Sequence, residues 1–519
     1  MRYVETAGRA VAIATAVFAA ACAPVTAPGP AAPTSARGLP PIPAVSGALD
    51  IRIVHPTAST PRPAVDSSLV YGSVGTGTAT LTINGDPVTV EPNGAFLAYL
   101  PNPADGTFNL TARNGGRTVT ASRSYRMQAP QAAAAAPAPA LVEFDEPRIG
   151  VVTGGSDTLR TGSDVAIGRT SPTGSFRWFL PRDARVEATG QLGSMVRVRM
   201  DTATAWFPAQ ELRLEESGVP TARAPLGAAA IEPSAGWVDV LSAAGHAPFH
   251  VTTEESRLRL IVHRRGPAPA ATTSTDPLVS GIEWSDPGVA RADIRLNGPL
   301  WGYKAFYDPA GDLVIRVRRP PAIDASRPLV GLRVVVDPGH PPAGATGPTG
   351  LTEAEANLAI SLRVAEMLRA KGADVVMTRA TPSPLVSSTD QTAELRARTL
   401  MAVEADAHLY VSIHNNAFPE GVNPERADGT STYYYHPFSA TLARYLNEEI
   451  VSETRIRDLG HRSGNLAVVR PTWFPAALTE SLFMPIPRQE AALRDAGFVE
   501  RLAAAHVLGL ERFLRSRAR

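Results

Sequence analysis

The chain has 519 residues, 44% of them hydrophobic, and its 50 Lys and Arg against 49 Asp and Glu give a formal net charge of +1. At about 150 residues per domain, this length predicts roughly three and a half domains. The balanced charge excludes a protein that binds nucleic acid through a strongly basic surface. A single cysteine excludes a disulfide framework, and the 47 prolines predict Pro-rich linkers between the domains.

The first 21 residues read as a signal for export. Arg2 and Arg9 precede an apolar run over 10–21 that is too short to span a bilayer. Three alanines then precede Cys22, and this ending resembles the lipobox of bacterial lipoproteins, which implies that Cys22 becomes the lipidated first residue. The alternative is an ordinary signal peptide cleaved after Ala21, with an incidental cysteine. Both readings take the protein out of the cytoplasm.

The segment that follows predicts a spacer and a first β-rich module. Residues 22–46 are rich in Pro and Ala without hydrophobic periodicity, which is typical of an extended tether. Over 47–128, short alternating runs and a hairpin signal at Asn84-Gly85 predict a β-sandwich. It resembles the immunoglobulin-like modules of bacterial surface proteins. An Ala/Pro linker over 129–141 ends this part of the chain.

Two further all-β modules are predicted before the chain changes character. Residues 142–216 resemble a bacterial Src-homology-3-like barrel, a family that commonly contacts cell-wall peptides; a barrel without a ligand is the alternative. Residues 217–325, with Gly302-Tyr303 before the last strand, resemble the AMIN targeting domain that precedes cell-wall amidases. Here the alternative is a β-module with another partner.

Strands and helices alternate over residues 326–517. This alternation predicts an α/β domain with a mostly parallel sheet flanked by helices, and ligands at the carboxyl ends of its strands. Extended runs are predicted at 334–336, 375–377, 409–413, 432–435, 466–469 and 476–478, and helices at 353–371, 393–405, 441–452 and 498–514. The predicted fold class is therefore a multidomain protein with three all-β modules before a C-terminal α/β domain.

Four residues of this domain form a candidate catalytic set. His340 and His414 directly follow predicted strands, and Glu480 ends an apolar run. Thr352 and Glu355 have the spacing of a capping box, which leaves Glu353 free to point into a cleft. Two histidines and one glutamate are a ligand set of catalytic zinc, with a fourth position open for water and Glu480 beside it. Spacing alone favours the alternative that these side chains make loop hydrogen bonds, because no compact HExxH motif is present.

A resemblance to a known family favours the zinc site over loop hydrogen bonds. Residues 334–514 resemble the zinc-dependent N-acetylmuramoyl-L-alanine amidases of the amidase-3 class. The resemblance implies Zn²⁺ ligated by His340, Glu353 and His414, with Glu480 as the catalytic carboxylate. It rests on these motifs: Asp337-Pro338-Gly339-His340, Gly350-Leu351-Thr352-Glu353-Ala354-Glu355-Ala356-Asn357-Leu358, Thr378-Arg379, Ser412-Ile413-His414-Asn415-Asn416, Leu466-Ala467-Val468-Val469-Arg470 and Pro475-Ala476-Ala477-Leu478-Thr479-Glu480.

Three more residues are candidates for binding substrate. Asn416 follows the second histidine, with a loop hydrogen bond as the alternative role. Arg379 and Arg470 fit bidentate pairing with carboxylates of a stem peptide, with a structural ion pair as the alternative for each.

The resemblance implies a hydrolase of peptidoglycan that cleaves the amide bond between N-acetylmuramic acid and L-alanine. Its expected partners are peptidoglycan and, through Cys22, a membrane, with no nucleic acid. Ala23 stands where some lipoproteins carry the aspartate linked to inner-membrane retention, so the expected location is the periplasm, on the outer membrane. Two alternatives stay open: a catalytically inactive wall-binding lipoprotein, and a zinc peptidase that cuts within the stem peptide.

Overall fold

A computed structural model describes residues 37–518 except 58–64, 126–139, 155–164, 201–202, 218–225, 264–266, 286–288, 343 and 387–390. The predicted signal peptide, Cys22 and most of the two predicted linkers lie outside the described residues. Among the helices of the described ranges, none combines the length and apolar character that a membrane crossing requires.

The first β-module consists of two antiparallel sheets that share one core. Its three-stranded sheet has the order β1-β2-β5 and its four-stranded sheet the order β4-β3-β6-β7. Val70, Leu81, Phe96 and Phe108 fill the space between them. The strands are β1 (Arg52–His55), β2 (Ser67–Ser73), β3 (Thr80–Ile83), β4 (Asp86–Val88), β5 (Ala95–Pro101), β6 (Thr107–Asn114) and β7 (Arg117–Ser124).

The second module is one antiparallel sheet of seven strands in the order β10-β9-β13-β12-β11-β8-β14. Trp178, Val186, Val198 and Phe207 form its core. The strands are β8 (Val142–Val152), β9 (Val165–Arg169), β10 (Phe176–Pro181), β11 (Arg185–Leu192), β12 (Met195–Met200), β13 (Ala203–Pro208) and β14 (Leu212–Ser217). A 3₁₀ turn over Ala209–Glu211 precedes the last strand.

The third module again has two antiparallel sheets around a common core. Their orders are β15-β16-β23-β22 and β17-β18-β21-β20-β19. The strands are β15 (Ala230–Pro233), β16 (Trp237–Ser242), β17 (Phe249–Thr253), β18 (Arg257–Val262), β19 (Thr272–Thr273), β20 (Val279–Ser285), β21 (Ala290–Leu296), β22 (Tyr303–Tyr307) and β23 (Leu313–Arg318). The described strands before residue 326 all belong to antiparallel sheets, which agrees with the prediction of an all-β part ahead of the C-terminal domain.

The C-terminal domain is an α/β domain, with six strands and six α-helices among its described residues. The strands are β24 (Arg333–Pro338), β25 (Asp374–Met377), β26 (Leu409–Asn416), β27 (Thr430–Tyr434), β28 (Asp458–Ser463) and β29 (Ala476–Phe483). The helices are α1 (Glu353–Ala370), α2 (Gln391–Glu404), α3 (Pro424–Ala427), α4 (Ala440–Thr454), α5 (Pro487–Arg494) and α6 (Ala496–Arg517). The predicted extended run at 466–469 is wrong, because Ala467–Val469 forms a 3₁₀ turn and the strand lies earlier, at β28.

The sheet of this domain is mixed, with the order β25-β24-β26-β29-β27-β28. Four of its pairings are parallel, and β27 with β29 is antiparallel. Strand β29 lies between β26 and β27, parallel to the first and antiparallel to the second. The prediction of a mostly parallel sheet is therefore confirmed in part, because the antiparallel pairing of β27 with β29 makes the sheet mixed.

The two faces of the sheet bury separate apolar clusters. Val411, Ile413 and Ala477 face α1, α4 and α6 in the larger core, and Tyr410 and Leu478 point to the opposite face. Alternation along each strand causes this division. Helix α1 begins at Glu353, where the predicted capping box of Thr352 and Glu355 is present. It ends before Gly372, whose φ of +87° is the left-handed value that favours glycine at this position.

Candidate metal centre

Two adjacent parallel strands and one helix bring His340, Glu353 and His414 together. In the register of β24 and β26, Pro338 lies beside Ile413, so the histidines that follow stand at the same edge of the sheet. Glu353 Oε1 lies 3.2 Å from His340 Nε2 and 3.3 Å from His414 Nδ1. One donor atom from each of the three side chains falls within 4.8 Å of the others.

Gly339 permits this close approach. A Cβ atom at this position would lie 2.3 Å from His414 Cε1, well inside van der Waals contact. His340 itself has a φ of +56°, in the left-handed region that non-glycine residues seldom adopt. Such backbone strain is typical of functional sites. Here it accompanies the turn that carries the first imidazole to the second.

The carboxylate of Glu353 is oriented by several donors. Its Oε2 accepts a hydrogen bond of 3.0 Å from the amide of Ala345, and its Oε1 accepts bonds from Asn357 Nδ2 at 3.2 Å and the amide of Asn415 at 3.3 Å. The Asn415 side chain donates to Asn357 Oδ1 at 2.9 Å. Burial alone would raise the pKa of Glu353, but its hydrogen bonds to the two histidines lower the pKa strongly. The glutamate is therefore anionic across the physiological range.

These three side chains fit a zinc ion by their chemistry. His340 Nδ1 lies 3.1 Å from the carbonyl oxygen of Pro342, which can only accept, so Nδ1 donates there and Nε2 is the ring nitrogen that faces the cluster. Two imidazoles and a carboxylate, with a fourth position open, are the pattern of catalytic rather than structural zinc. Burial lowers the pKa of His340, but the hydrogen bond to Glu353, the negative charge of that carboxylate and the hydrogen bond to the Pro342 carbonyl group together raise it.

Glu480 stands on the next strand, directly beside the cluster. It is the in-register partner of His414 across β26 and β29. Its Oε2 is buried and has no hydrogen-bond partner among the described residues. Burial first, and then the negative charge of Glu353, raise the pKa of Glu480 well above its ordinary value. A carboxyl group with a raised pKa beside a metal site has the properties of a general acid and base.

Two buried arginines support the loop that carries His340, and local sequence patterns did not indicate this role. Arg398, on α2, donates to the carbonyl oxygens of Pro338 at 2.7 Å and of His340 at 3.0 Å, and it pairs with Asp337 at 3.2 Å. Arg379 donates to the carbonyl oxygens of Pro338 at 3.1 Å and of Gly339 at 2.9 Å. Both are almost fully buried.

The three predicted substrate-binding residues lie in different settings. The buried guanidinium of Arg379 is engaged by backbone carbonyls, which is a structural role. Arg470 donates to Asn465 Oδ1 at 2.8 Å and stacks on Phe176 of the second module at 5.2 Å. Asn416 ends β26, and its Oδ1 accepts from the amide of Ala417 at 2.8 Å. A substrate contact for each of the three stays a prediction.

Comparison with known proteins identifies the family of the C-terminal domain. Residues 334–512 match the family model described as N-acetylmuramoyl-L-alanine amidase. The chain is 32% identical over 187 residues to the N-acetylmuramoyl-L-alanine amidase CwlM of Bacillus licheniformis, covering 35% of this chain and 68% of that protein. The chain belongs to this family. Its C-terminal α/β domain is an amidase domain.

Other matches also cover about a third of this chain. LytC of Bacillus subtilis, also named an N-acetylmuramoyl-L-alanine amidase, is 32% identical over 184 residues, and the match spans 34% of each chain. Among solved structures, the catalytic domain of the amidase CwlV from Bacillus (Paenibacillus) polymyxa var. colistinus is 31% identical. That match covers 35% of this chain and 98% of the other, with a TM-score of 0.32.

Proposed function

We propose that the protein is an exported, zinc-dependent N-acetylmuramoyl-L-alanine amidase that hydrolyses the amide bond between N-acetylmuramic acid and the L-alanine of the stem peptide. One observation carries the proposal: His340, Glu353 and His414 converge within 4.8 Å, with Glu480 beside His414 on the next strand. Family membership supplies the substrate class.

The metal ligands and Glu480 have separate roles in the proposed reaction. His340, Glu353 and His414 would hold Zn²⁺, which when bound lowers the pKa of a water molecule and polarises a carbonyl group. Glu480 takes the proton from the attacking water and later returns a proton to the nitrogen of the departing L-alanine. Its raised pKa suits both steps, because a carboxyl group of raised pKa is a stronger base than an ordinary glutamate and can hold the transferred proton.

Product analysis tests the reaction. Purified protein is incubated with peptidoglycan, and the fragments are identified by mass spectrometry. New L-alanine amino termini with intact glycan support the proposal. Cleavage inside the stem peptide would instead indicate a zinc peptidase, and binding without cleavage would indicate a wall-binding protein.

Chelation provides the first test of the metal. Removing zinc should abolish turnover, and adding back one equivalent should restore it, with the bound metal measured by elemental analysis. His340→Ala should lose zinc as well as turnover. His461→Ala is the matched control: this histidine lies on β28, outside the cluster, and should keep both.

A test of Glu480 separates catalysis from metal binding. Glu480→Gln keeps the size of the side chain but removes the base, so turnover should fall by at least about 100-fold while zinc stays bound. Turnover close to that of the unmodified protein would contradict the assignment of Glu480.

The proposal for the whole protein extends to its location and its β-modules. The signal-like N-terminus and Cys22 support a lipid anchor on the outer membrane facing the periplasm. In cells grown with labelled palmitate, label should disappear in Cys22→Ala; undiminished label would exclude this cysteine. We assign the three β-modules, of immunoglobulin-like, Src-homology-3-like and AMIN-like type, to positioning the amidase domain on the wall.

A further inference from the structure

A buried serine lies on the other side of Glu480 from the candidate metal ligands. In the antiparallel pairing of β27 with β29, Ser431 is the in-register partner of Glu480. Directly opposed residues of such a pair point to the same face, with Cβ atoms about 5 Å apart. The row His414, Glu480, Ser431 therefore crosses three neighbouring strands on one face of the sheet.

The neighbouring residues confirm which face this is. Thr479, one residue before Glu480, hydrogen-bonds His506 of α6 at 3.0 Å, and Thr432, one residue after Ser431, hydrogen-bonds Asn447 of α4 at 3.4 Å. Both contacts lie on the side covered by α4 and α6. Because successive side chains of a strand alternate, Ser431 and Glu480 point away from these helices, toward the catalytic side.

Two complementary polar atoms are left unsatisfied at this point. Ser431 is 1% exposed, and its Oγ has no hydrogen-bond partner in the described part of the chain. The buried Oε2 of Glu480 also has no hydrogen-bond partner among the described residues. One is a hydroxyl that donates and rotates freely, and the other is an oxygen that only accepts. An unpaired buried polar atom is costly, and a pair of them on opposed residues calls for an explanation.

We propose that Ser431 is a positioning residue for Glu480, and that its hydroxyl donates a hydrogen bond to Glu480 Oε2 in the zinc-loaded enzyme. The inference rests on the amidase function proposed above. This bond holds the carboxyl plane and leaves Oε1 as the oxygen that faces the cleft. Oε2 accepts the bond whether Oε1 is ionised or carries the transferred proton, so one geometry serves both proton transfers.

The chain offers a matched control in Ser481. This serine is fully buried and also has an unpaired Oγ, yet it is the residue next to Glu480 on the same strand. The register of β26 and β29 shifts between Glu480 and Phe483, so Ser481 lies in an irregular stretch rather than in the row that joins His414, Glu480 and Ser431. Removing either hydroxyl makes the same chemical change in the same strand pair, but only Ser431 is the in-register partner of Glu480.

The experiment measures kcat and KM of the full-length, zinc-loaded protein on a soluble muropeptide for the unmodified protein, Ser431→Ala, Ser431→Thr and Ser481→Ala. Loss of one hydrogen bond to a carboxylate should lower kcat of Ser431→Ala about tenfold. Its KM and zinc content should stay the same. Ser431→Thr should recover most of kcat, and Ser481→Ala should stay within about twofold of the unmodified protein.

Two kinetic results would overturn the inference while the amidase proposal stands: an unchanged kcat in Ser431→Ala, or equal losses in Ser431→Ala and Ser481→Ala. If the unmodified protein turns over no muropeptide, the proposed function itself fails. A crystal structure of the zinc-loaded protein would then still test the contact between Ser431 and Glu480, because it does not depend on activity. An Oγ-to-Oε2 distance of about 2.7 Å supports the hydrogen bond, and one beyond about 3.5 Å contradicts it.

Discussion

Burial of Glu480 sets both its chemistry and its cost. Its pKa is raised because burial and the charge of Glu353 disfavour the ionised form. A group of this kind stabilises the fold fully below its unfolded pKa of about 4.5, and the contribution is lost as the pH rises through the folded pKa. Ionised Glu480 therefore lowers the free energy of unfolding, although the proposed proton transfer from water needs this ionised form.

The upward direction of the Glu480 pKa shift leads to a prediction about stability. With zinc chelated, Glu480→Gln should be more stable than the unmodified protein at pH 8, and the difference should vanish toward pH 4. The midpoint of urea unfolding at each pH measures it. Glu355 provides the opposite control: hydrogen bonds with Thr352 lower its pKa, so Glu355→Gln should be less stable at pH 8. A Glu480→Gln variant that is less stable at pH 8 would contradict the assigned shift.

At the scale of elements, α2 and the loop after β24 are joined by a buried charge network. Arg398 of α2 contacts both Asp337 and Glu394, and all three are nearly inaccessible to solvent. Asp337 also accepts hydrogen bonds from Ser412 Oγ at 2.6 Å and Thr378 Oγ1 at 2.5 Å. The network ties the end of β24, and hence His340, to the strands and helix around it.

Arg398→Ala should therefore destabilise the protein by about 3–5 kcal/mol, because two buried carboxylates lose their cation. It should also weaken zinc binding, since the loop bearing His340 loses two carbonyl contacts. Urea unfolding and zinc titration measure the two effects. Arg396→Ala, an exposed position on the same helix, should change neither. If Arg398→Ala and Arg396→Ala had the same stability and the same zinc affinity, the network would not stabilise the fold or the loop that carries His340.

At the scale of the whole molecule, the β-modules are packed on the amidase domain. Arg318, at the end of β23 in the third module, is buried and donates to the carbonyl oxygens of Ala407 at 2.6 Å and Trp473 at 3.1 Å. The first module contacts the loop after β26, where Tyr99 Oη donates to the carbonyl oxygen of Gly421 at 2.7 Å. Even Gly38, within the predicted tether, donates to the carbonyl oxygen of Glu453 at 2.7 Å.

Arg318→Ala should uncouple the third module from the amidase domain, since the carbonyl oxygens of Ala407, Trp473 and Asp406 lose their donor at once. We expect one thermal transition to split into two in calorimetry, and faster proteolysis over residues 319–332. Arg291→Ala, an exposed position on β21, is the control and should keep the single transition. A single, unshifted transition in Arg318→Ala would show that this contact does not couple the two parts.

Local sequence patterns single out the residues to which the proposal assigns the chemistry. Histidines after strands, the capping box that releases Glu353 and the alternation of strands with helices are patterns within a few residues, and the structure contains each of them. Local patterns also indicated the all-β character of the chain before the amidase domain. They indicated neither the 3₁₀ turn at 467–469 nor the packing of part of the predicted tether, because both depend on neighbours from distant segments.

Only the tertiary structure decided how these residues meet. The order of strands places β29 between β26 and β27, and this order sets Glu480 between His414 and Ser431 and makes the sheet mixed. It also turns Arg398 and Arg379 inward onto the carbonyl oxygens of the loop that presents His340. The physical reason is that sheet order and register are set by contacts between residues far apart in the chain, about which the pattern within any one segment carries no information.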